Sequence, residues 1–382
     1  MLKGNKGEWS ELYVFTKILA EGKLYQSDIN LEKNDEKFYE VLKAYRDETN
    51  CEIEYIREKE VEIYDKSISS LPVDKVKLEY LEKNAIKLLN GIIKGKGKSF
   101  AIENVNDFIE KLKIGKLKAP STNKSDLKLR IYDHRLATET DLGFSIKSLL
   151  GKNSTLLNTG PGNNFIYSIQ NPTHIDINSF NKETYKTSNK TSKITFRLQK
   201  LLNNNCDIKF KEIQSKQFWR NLKMVDGDLP ELLSQLLLYR YIYSEKSILK
   251  LVDLLEKKDP LNFYDDETSG QRLYEYKIKR LLAECAMGMT SEKIWKGVYD
   301  TTGGVIVAKK NGDVVCFHIY DFNLFRDYLI NNTVLEQPST GEDEMNPGNE
   351  RTKKGTKKYY YGWLYSQNDS LEFKINLQIR FK

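Results

Sequence analysis

The feature that most constrains this chain is the strict alternation in Asp141-Leu142-Gly143-Phe144-Ser145-Ile146-Lys147. Successive side chains of an extended strand point to opposite faces. Leu142, Phe144 and Ile146 therefore share one face, and Asp141, Gly143, Ser145 and Lys147 share the other. A strand patterned this way belongs to a sheet with one face packed on a core, so the chain needs further strands and something to cover them.

Both are legible nearby. Asp126 to Tyr132 alternates Leu127, Leu129 and Ile131 with polar partners and reads as a half-buried strand. Cys51 to Tyr64 and Asn164 to Ile169 read as strands as well. Gly7 to Glu21 carries Leu12, Phe15, Ile18 and Leu19 at helical spacing, and Gly22 supplies a stop. Val76 to Ile93 and Asn104 to Leu112 read as two more helices.

Pro172 to Lys193 is rich in Asn, Ser and Thr and has little periodicity, as a loop or boundary would. Lys193 to Met289 is mainly helical. Thr302 to Tyr320 forms a hairpin around Asn311-Gly312. A helix follows at Phe322 to Leu329, and Tyr359 to Phe381 makes a last hairpin turning at Asn368-Asp369. The expected division is a mixed α/β core over 1–170, a connection over 171–192, and a helical and hairpin region over 193–382.

At 382 residues, with 39% hydrophobic residues, 23 Tyr and 16 Phe, the chain can bury a large core. Its +7 charge, from 61 basic and 54 acidic residues, allows phosphate binding where the cations cluster. Gln337 to Lys358 runs from Glu342, Asp343 and Glu344 to Arg351, Lys353, Lys354, Lys357 and Lys358. It reads equally as a solvated surface loop or as a DNA-contacting one. The four cysteines, Cys51, Cys206, Cys285 and Cys316, form no Cys-x-x-Cys pair, and with three histidines they offer no zinc pattern. Reduced thiols, an N-terminus without a signal-peptide core and an interrupted apolar stretch at Leu229 to Tyr243 fit a soluble cytoplasmic protein.

Several motifs carry less than they promise. Gly95-Lys96-Gly97-Lys98-Ser99 lacks the first glycine of a phosphate-binding loop and reads as a basic turn. His134, His174 and His318 have no partners at hydrolase-triad spacing. Trp9 and Trp219 are expected as core anchors rather than base-stacking platforms.

Phosphodiester hydrolysis needs a carboxylate-held divalent metal, an activated water and a cation against the developing phosphate charge. Two or three acids and a lysine on adjacent strands of one sheet meet that need. Lys147 supplies the cation and Asp141 an acid on the same face, and Asp126 opens the preceding strand. Glu8 and Glu11 border the apolar stripe of the first helix. Each has a plainer reading: a solvated lysine, a turn aspartate, a first-turn glutamate complementing the helix dipole.

Taken together these residues resemble the PD-(D/E)xK nuclease superfamily, in which an aspartate starts one strand and the next carries acid-x-Lys. More narrowly, several stretches resemble the HpaII family of type II restriction endonucleases. They are Lys6-Gly7-Glu8-Trp9-Ser10-Glu11-Leu12-Tyr13, Gly143-Phe144-Ser145-Ile146-Lys147-Ser148, Thr155-Leu156-Leu157-Asn158 and Asn164-Phe165-Ile166-Tyr167. Thr302-Gly303-Gly304 through Asn331-Asn332-Thr333 and the C-terminal Asn376-Leu377-Gln378-Ile379-Arg380-Phe381-Lys382 extend the likeness over nearly the whole chain.

The resemblance implies a PD-(D/E)xK mixed-sheet core flanked by helices and Mg2+-dependent cleavage of double-stranded DNA at a short palindrome, CCGG. It also implies a homodimer on that DNA and an accompanying methyltransferase. On this reading Asp126 is the first metal-binding acid and Lys147 the catalytic lysine. The acid two residues before Lys147 is missing, because that position is Ser145. Asp141 is the expected replacement, with Glu139 as its competitor and Glu11 as a further ligand. Arg351, Lys353 and Lys354 are the expected DNA contacts. Ser145 also keeps open a DNA-binding protein whose nuclease site has decayed, and an RNA- or repair-directed nuclease on the same core is a third reading.

Overall fold

The computed structural model describes residues 1–48, 51–117, 125–151, 155–171, 175–182, 192–264, 270–299, 301–338 and 361–382. They form two compact units. The first comprises Met1–Ser154 and Tyr299–Tyr328, the second Thr155–Val298 and Leu329–Lys382.

The first unit opens with helix α1 (Lys6–Glu21). Asn5 and Glu8 form a reciprocal capping box: Glu8 N–H donates to Asn5 Oδ1 at 3.0 Å, and Asn5 N–H donates to Glu8 Oε2 at 2.8 Å. At the other end Gly22 takes the left-handed conformation (φ 68°), and its N–H closes on the Ile18 carbonyl. Arg57 adds bonds to the orphan carbonyls of Leu19 and Ala20. Trp9, Leu12, Phe15, Ile18 and Leu19 are buried, and α1 packs on helix α2 (Leu78–Lys94) through the stripe Leu81, Ala85, Leu88 and Ile92.

Seven strands come from the N-terminal segment: β1 (Lys23–Ser27), β2 (Lys33–Asp47), β3 (Glu52–Arg57), β4 (Glu60–Asp65), β5 (Asp74–Lys77), β6 (Leu127–Asp133) and β7 (Thr138–Ser148). The hairpin Gly304–Ala308 with Val314–His318 completes their sheet, the first of its strands lying parallel to β7 and the second parallel to β1. Because β1 also pairs with β2, the strands β1, β2, β6, β7 and the two hairpin strands close a ring. Register breaks at Tyr25/Gln26 and Val41/Lys43 supply bends of the kind closure requires. The unit is thus a mixed α/β sheet with helices, as expected, but one that closes on itself, which local alternation does not reveal.

Two further differences have clear causes. Cys51 to Tyr64 is a hairpin, β3 and β4, rather than one strand. Its turn at Glu58-Lys59 contains no glycine or proline, so the alternation runs on without a visible break. The hairpin of Gly304–Ala308 belongs with the first unit although it lies beyond residue 193. Parallel pairing joins segments far apart in sequence and leaves no local signature.

In the second unit, strands Asn164–Gln170, Asp207–Ile213, Leu364–Gln367 and Ser370–Asn376 make an antiparallel sheet, and Thr155–Leu157, Thr333–Leu335 and Ile379–Phe381 a smaller one. Asn368 and Asp369 both have positive φ at the tight turn of the C-terminal hairpin. Helices Lys193–Asn203, Lys216–Val225, Leu229–Ile242, Ile248–Lys258 and Leu273–Ala286 supply the expected helical region. A buried asparagine knot holds this unit: Asn376 Nδ2 donates to Asn164 Oδ1 and Gly160 O, and Asn163 Nδ2 to Leu377 O and Asn158 O. Those asparagines satisfy buried backbone carbonyls, so their role is architectural. No helix among the described residues is long and apolar enough to cross a membrane.

Candidate active site

Asp126 stands immediately before β6, where its N–H donates to the Phe144 carbonyl of β7 at 2.9 Å. Antiparallel pairing of Leu127 with Phe144 carries this register along both strands. The Asp126 side chain then reaches across. Its Oδ2 accepts the Ile146 N–H at 2.7 Å and the Ser145 hydroxyl at 3.2 Å. Two donors on one oxygen fix the direction of the carboxylate.

Lys147 lies one residue beyond, paired with Val307 of the parallel neighbour. Burial pushes its ammonium below the usual lysine range, while the carboxylates of Asp126 and Glu11 oppose that shift. Asp126 and Glu11, both expected from the sequence, therefore each act on Lys147. Glu11 is brought there by α1, which Ser10 ties to β7: the Ser148 hydroxyl donates to Ser10 Oγ at 2.8 Å. Glu8, the other acid on that helix, is committed to the cap.

Asp141 is placed differently from the expectation. It faces Arg130 across the β6–β7 pair and accepts two bonds from its guanidinium, both at 2.8 Å, and a third from Tyr45 OH at 3.0 Å. The Arg130 bonds hold its carboxyl below the usual range. Six residues separate it from Lys147, roughly 20 Å of strand at about 3.3 Å per residue. Alternation assigned the shared face, but not the distance. Glu139, opposite Tyr132, is farther along still. Asp141→Ala is expected to leave cleavage within about threefold, and to cost under about 1 kcal/mol as a half-exposed ion pair, measured by single-turnover rate and urea unfolding.

Ser145 acquires a role that the sequence did not disclose. Its hydroxyl is buried against Asp126 and orients that carboxylate. Ser145→Ala should slow cleavage about 3- to 10-fold, the worth of one hydrogen bond of about 0.5–1.5 kcal/mol. A loss as large as that of Asp126→Ala would instead make the hydroxyl a participant in the reaction.

The remaining candidates sort simply. His318 is buried, accepts from Tyr320 N–H at 3.1 Å, and is pushed by burial down to about 4; His134 lies 3.3 Å from Glu40. The four cysteines are free thiols, three of them buried. Trp9 is fully buried as expected, whereas Trp219 is 41% exposed and is no core anchor. Its helix turns Phe218 and Leu222 inward and leaves position 219 on the outer face. Arg351, Lys353, Lys354 and His174 lie outside the described residues.

No group of three or more His, Cys, Asp or Glu side chains among the described residues forms a metal cage. Mg2+ needs no such cage: it is held by one or two carboxylates, waters and substrate phosphate oxygens. The hard oxygen donors of Asp126 and Glu11 around one ammonium fit that requirement.

The HpaII restriction endonuclease family matches residues 5–381 of this chain. The chain belongs to the HpaII restriction endonuclease family. It is 32% identical over 383 residues to the type II restriction enzyme HpaII of Haemophilus parainfluenzae, covering 99% of this chain and 98% of that protein. No solved structure matches it. As a member of the HpaII family the chain is a type II restriction endonuclease.

Proposed function

We propose that this HpaII-family enzyme cleaves double-stranded DNA at CCGG by Mg2+-dependent hydrolysis, using Asp126, Glu11 and Lys147. One observation carries the reading: Lys147 is desolvated and under the influence of two carboxylates, one from α1 and one from the strand beside its own. Acid-bearing helix, aspartate at a strand start and lysine on the adjacent strand are the parts of a PD-(D/E)xK core. The closed ring of strands is an elaboration around them.

Asp126 and Glu11 would hold the metal, which when bound supplies Lewis-acid polarisation of the phosphate and lowers the pKa of a bound water. The protein's own groups do the rest. Ile146 N–H and Ser145 Oγ orient Asp126. Lys147 presents a positive charge in a poorly solvated position, where it acts more strongly on a phosphate than it would in water. Water attacking phosphorus with cleavage of the P–O3′ bond, the leaving oxygen taking up a proton, would leave a 5′-phosphate and a 3′-hydroxyl.

A palindromic site has twofold symmetry, so two copies of the chain are expected on one target, each cutting one strand. Such a nuclease also requires a methyltransferase to protect the host site. The decayed-site alternative is disfavoured by Ser145 itself, which is employed in orienting Asp126.

The test is digestion of unmethylated plasmid with end-mapping. Discrete fragments that require Mg2+ and end within CCGG are expected. Mg2+-dependent fragments ending elsewhere would overturn the site while retaining the nuclease, and no discrete fragments with Mg2+ or Mn2+ would overturn both.

A further inference from the structure

The second unit carries a cationic and aromatic surface that the catalytic corner does not use. Helix Lys216–Val225 contains no acidic residue. It buries Phe218, Asn221, Leu222 and Val225 and turns Lys216, Trp219, Arg220, Lys223 and Met224 outward, as the 3.6-residue period dictates. The acids next in sequence are paired: Asp226 and Asp228 each lie 2.9 Å from Lys277, and Arg280 lies 3.9 Å from Asp226.

A second segment is fixed beside this helix. Asn221, 1% exposed, donates from Nδ2 to the carbonyls of Thr290 and Lys293 at 2.9 and 2.8 Å, and its Oδ1 accepts Trp295 N–H at 3.1 Å. One buried amide thus pins irregular backbone that presents Lys293 and Lys296 to solvent, together with one acid, Glu292. Packing reinforces the placement, since a Cβ at Gly297 would come within 3.2 Å of Met224 Cε. Lys223 is partly engaged, donating to the Gly227 carbonyl and lying 3.6 Å from Glu231. Lys216, Arg220, Lys293 and Lys296 are the more available cations.

We propose that this face, helix Lys216–Val225 with the segment 290–298, is a duplex-DNA contact surface, its cations meeting phosphates and Trp219 lying against the DNA. The inference rests on the proposed function and extends it by locating part of the substrate site. Charge complementarity selects the occupant: an acid-free helix face bearing a lysine, an arginine and an exposed indole suits a polyanion better than a second copy of this chain. The buried Asn221 brace fixes the backbone that carries Lys293, which lowers the ordering cost of binding at that segment.

The experiment compares wild type, Lys216→Glu/Arg220→Glu and Trp219→Phe, using a CCGG duplex in Ca2+ buffer over a range of salt. The double variant is expected to bind at least 10-fold more weakly, and its log–log salt slope to shrink by about two, near 0.9 per lost phosphate contact. Trp219→Phe should remove most of the DNA-induced change in tryptophan fluorescence. Thermal unfolding of all three should coincide. If wild type binds the duplex in Ca2+ and cuts it once Mg2+ is supplied, while the double variant binds equally well with the same slope, this surface is wrong and the proposed function stands. Wild type that binds no duplex overturns both. A DNA-free change in oligomeric state in the double variant would assign the face to a second copy and overturn the proposal.

Discussion

Lys147→Ala loses cleavage by about three orders of magnitude or more in single-turnover rate, while duplex affinity stays within a few-fold. Removing a fixed donor that meets developing charge costs about 10²–10³ in known cases, and here Lys147 is only partly exposed to the bulk water that would otherwise stabilise that charge. The sign of the pH effect follows from the same burial. Lys147 acts as an ammonium, so the rate falls as pH rises through its pKa. Because burial lowers that pKa, the fall comes below the ordinary lysine range. Lys147→Arg, which stays charged, should abolish the alkaline downturn even where its geometry costs rate. Quench-flow profiles of the three proteins provide the check. Near-normal turnover in Lys147→Ala would place the chemistry elsewhere.

Asp126→Ala is expected to be as damaging to cleavage and also to destabilise the fold. Its carboxylate is the partner of the Ile146 N–H and of a buried serine hydroxyl. Leaving those donors unsatisfied costs about 1–3 kcal/mol. Asp126→Asn separates the two effects, because an amide oxygen still accepts both bonds but carries no charge. Its melting temperature should lie near that of wild type while its cleavage stays as low as that of Asp126→Ala. An active Asp126→Asn would mean that orientation of Ser145 and Ile146, rather than metal charge, is what Asp126 supplies.

The elements that the sequence disclosed were those with local causes. The apolar spacing of Leu12, Phe15, Ile18 and Leu19 and the Gly22 stop marked α1, and alternation in Leu127–Ile131 and Leu142–Ile146 marked β6 and β7. The Asn311-Gly312 and Asn368-Asp369 turns marked their hairpins. Elements set by distant pairing stayed hidden. Nothing near Gly304 announces a parallel partner at Phe144, and nothing in β1 announces that it has neighbours on both edges.

The site divides along the same line. Asp126 and Lys147 meet because two adjacent strands run in register, which strand order alone anticipates. Asp141 was drawn in by sharing a face with Lys147, yet its neighbours are set by the strands on either side, which provide Arg130 and Tyr45. A basic residue directly across an antiparallel pair was the available signal for that ion pair. Ser145 read as an empty ligand position because a hydroxyl that orients a carboxylate is invisible without the carboxylate's direction. Trp219 was taken for a core anchor on residue type, whereas the apolar stripe of Phe218, Leu222 and Val225 already filled the buried face of its helix.

Mg2+ titration calorimetry on Lys147→Ala bound to its duplex, set against Lys147→Ala/Asp126→Ala, tests the central claim most directly, since neither protein consumes the DNA. A saturable metal-binding heat in the first that is absent in the second is the predicted result. Equal binding in both, or none in either, would contradict a metal-dependent active site built on Asp126.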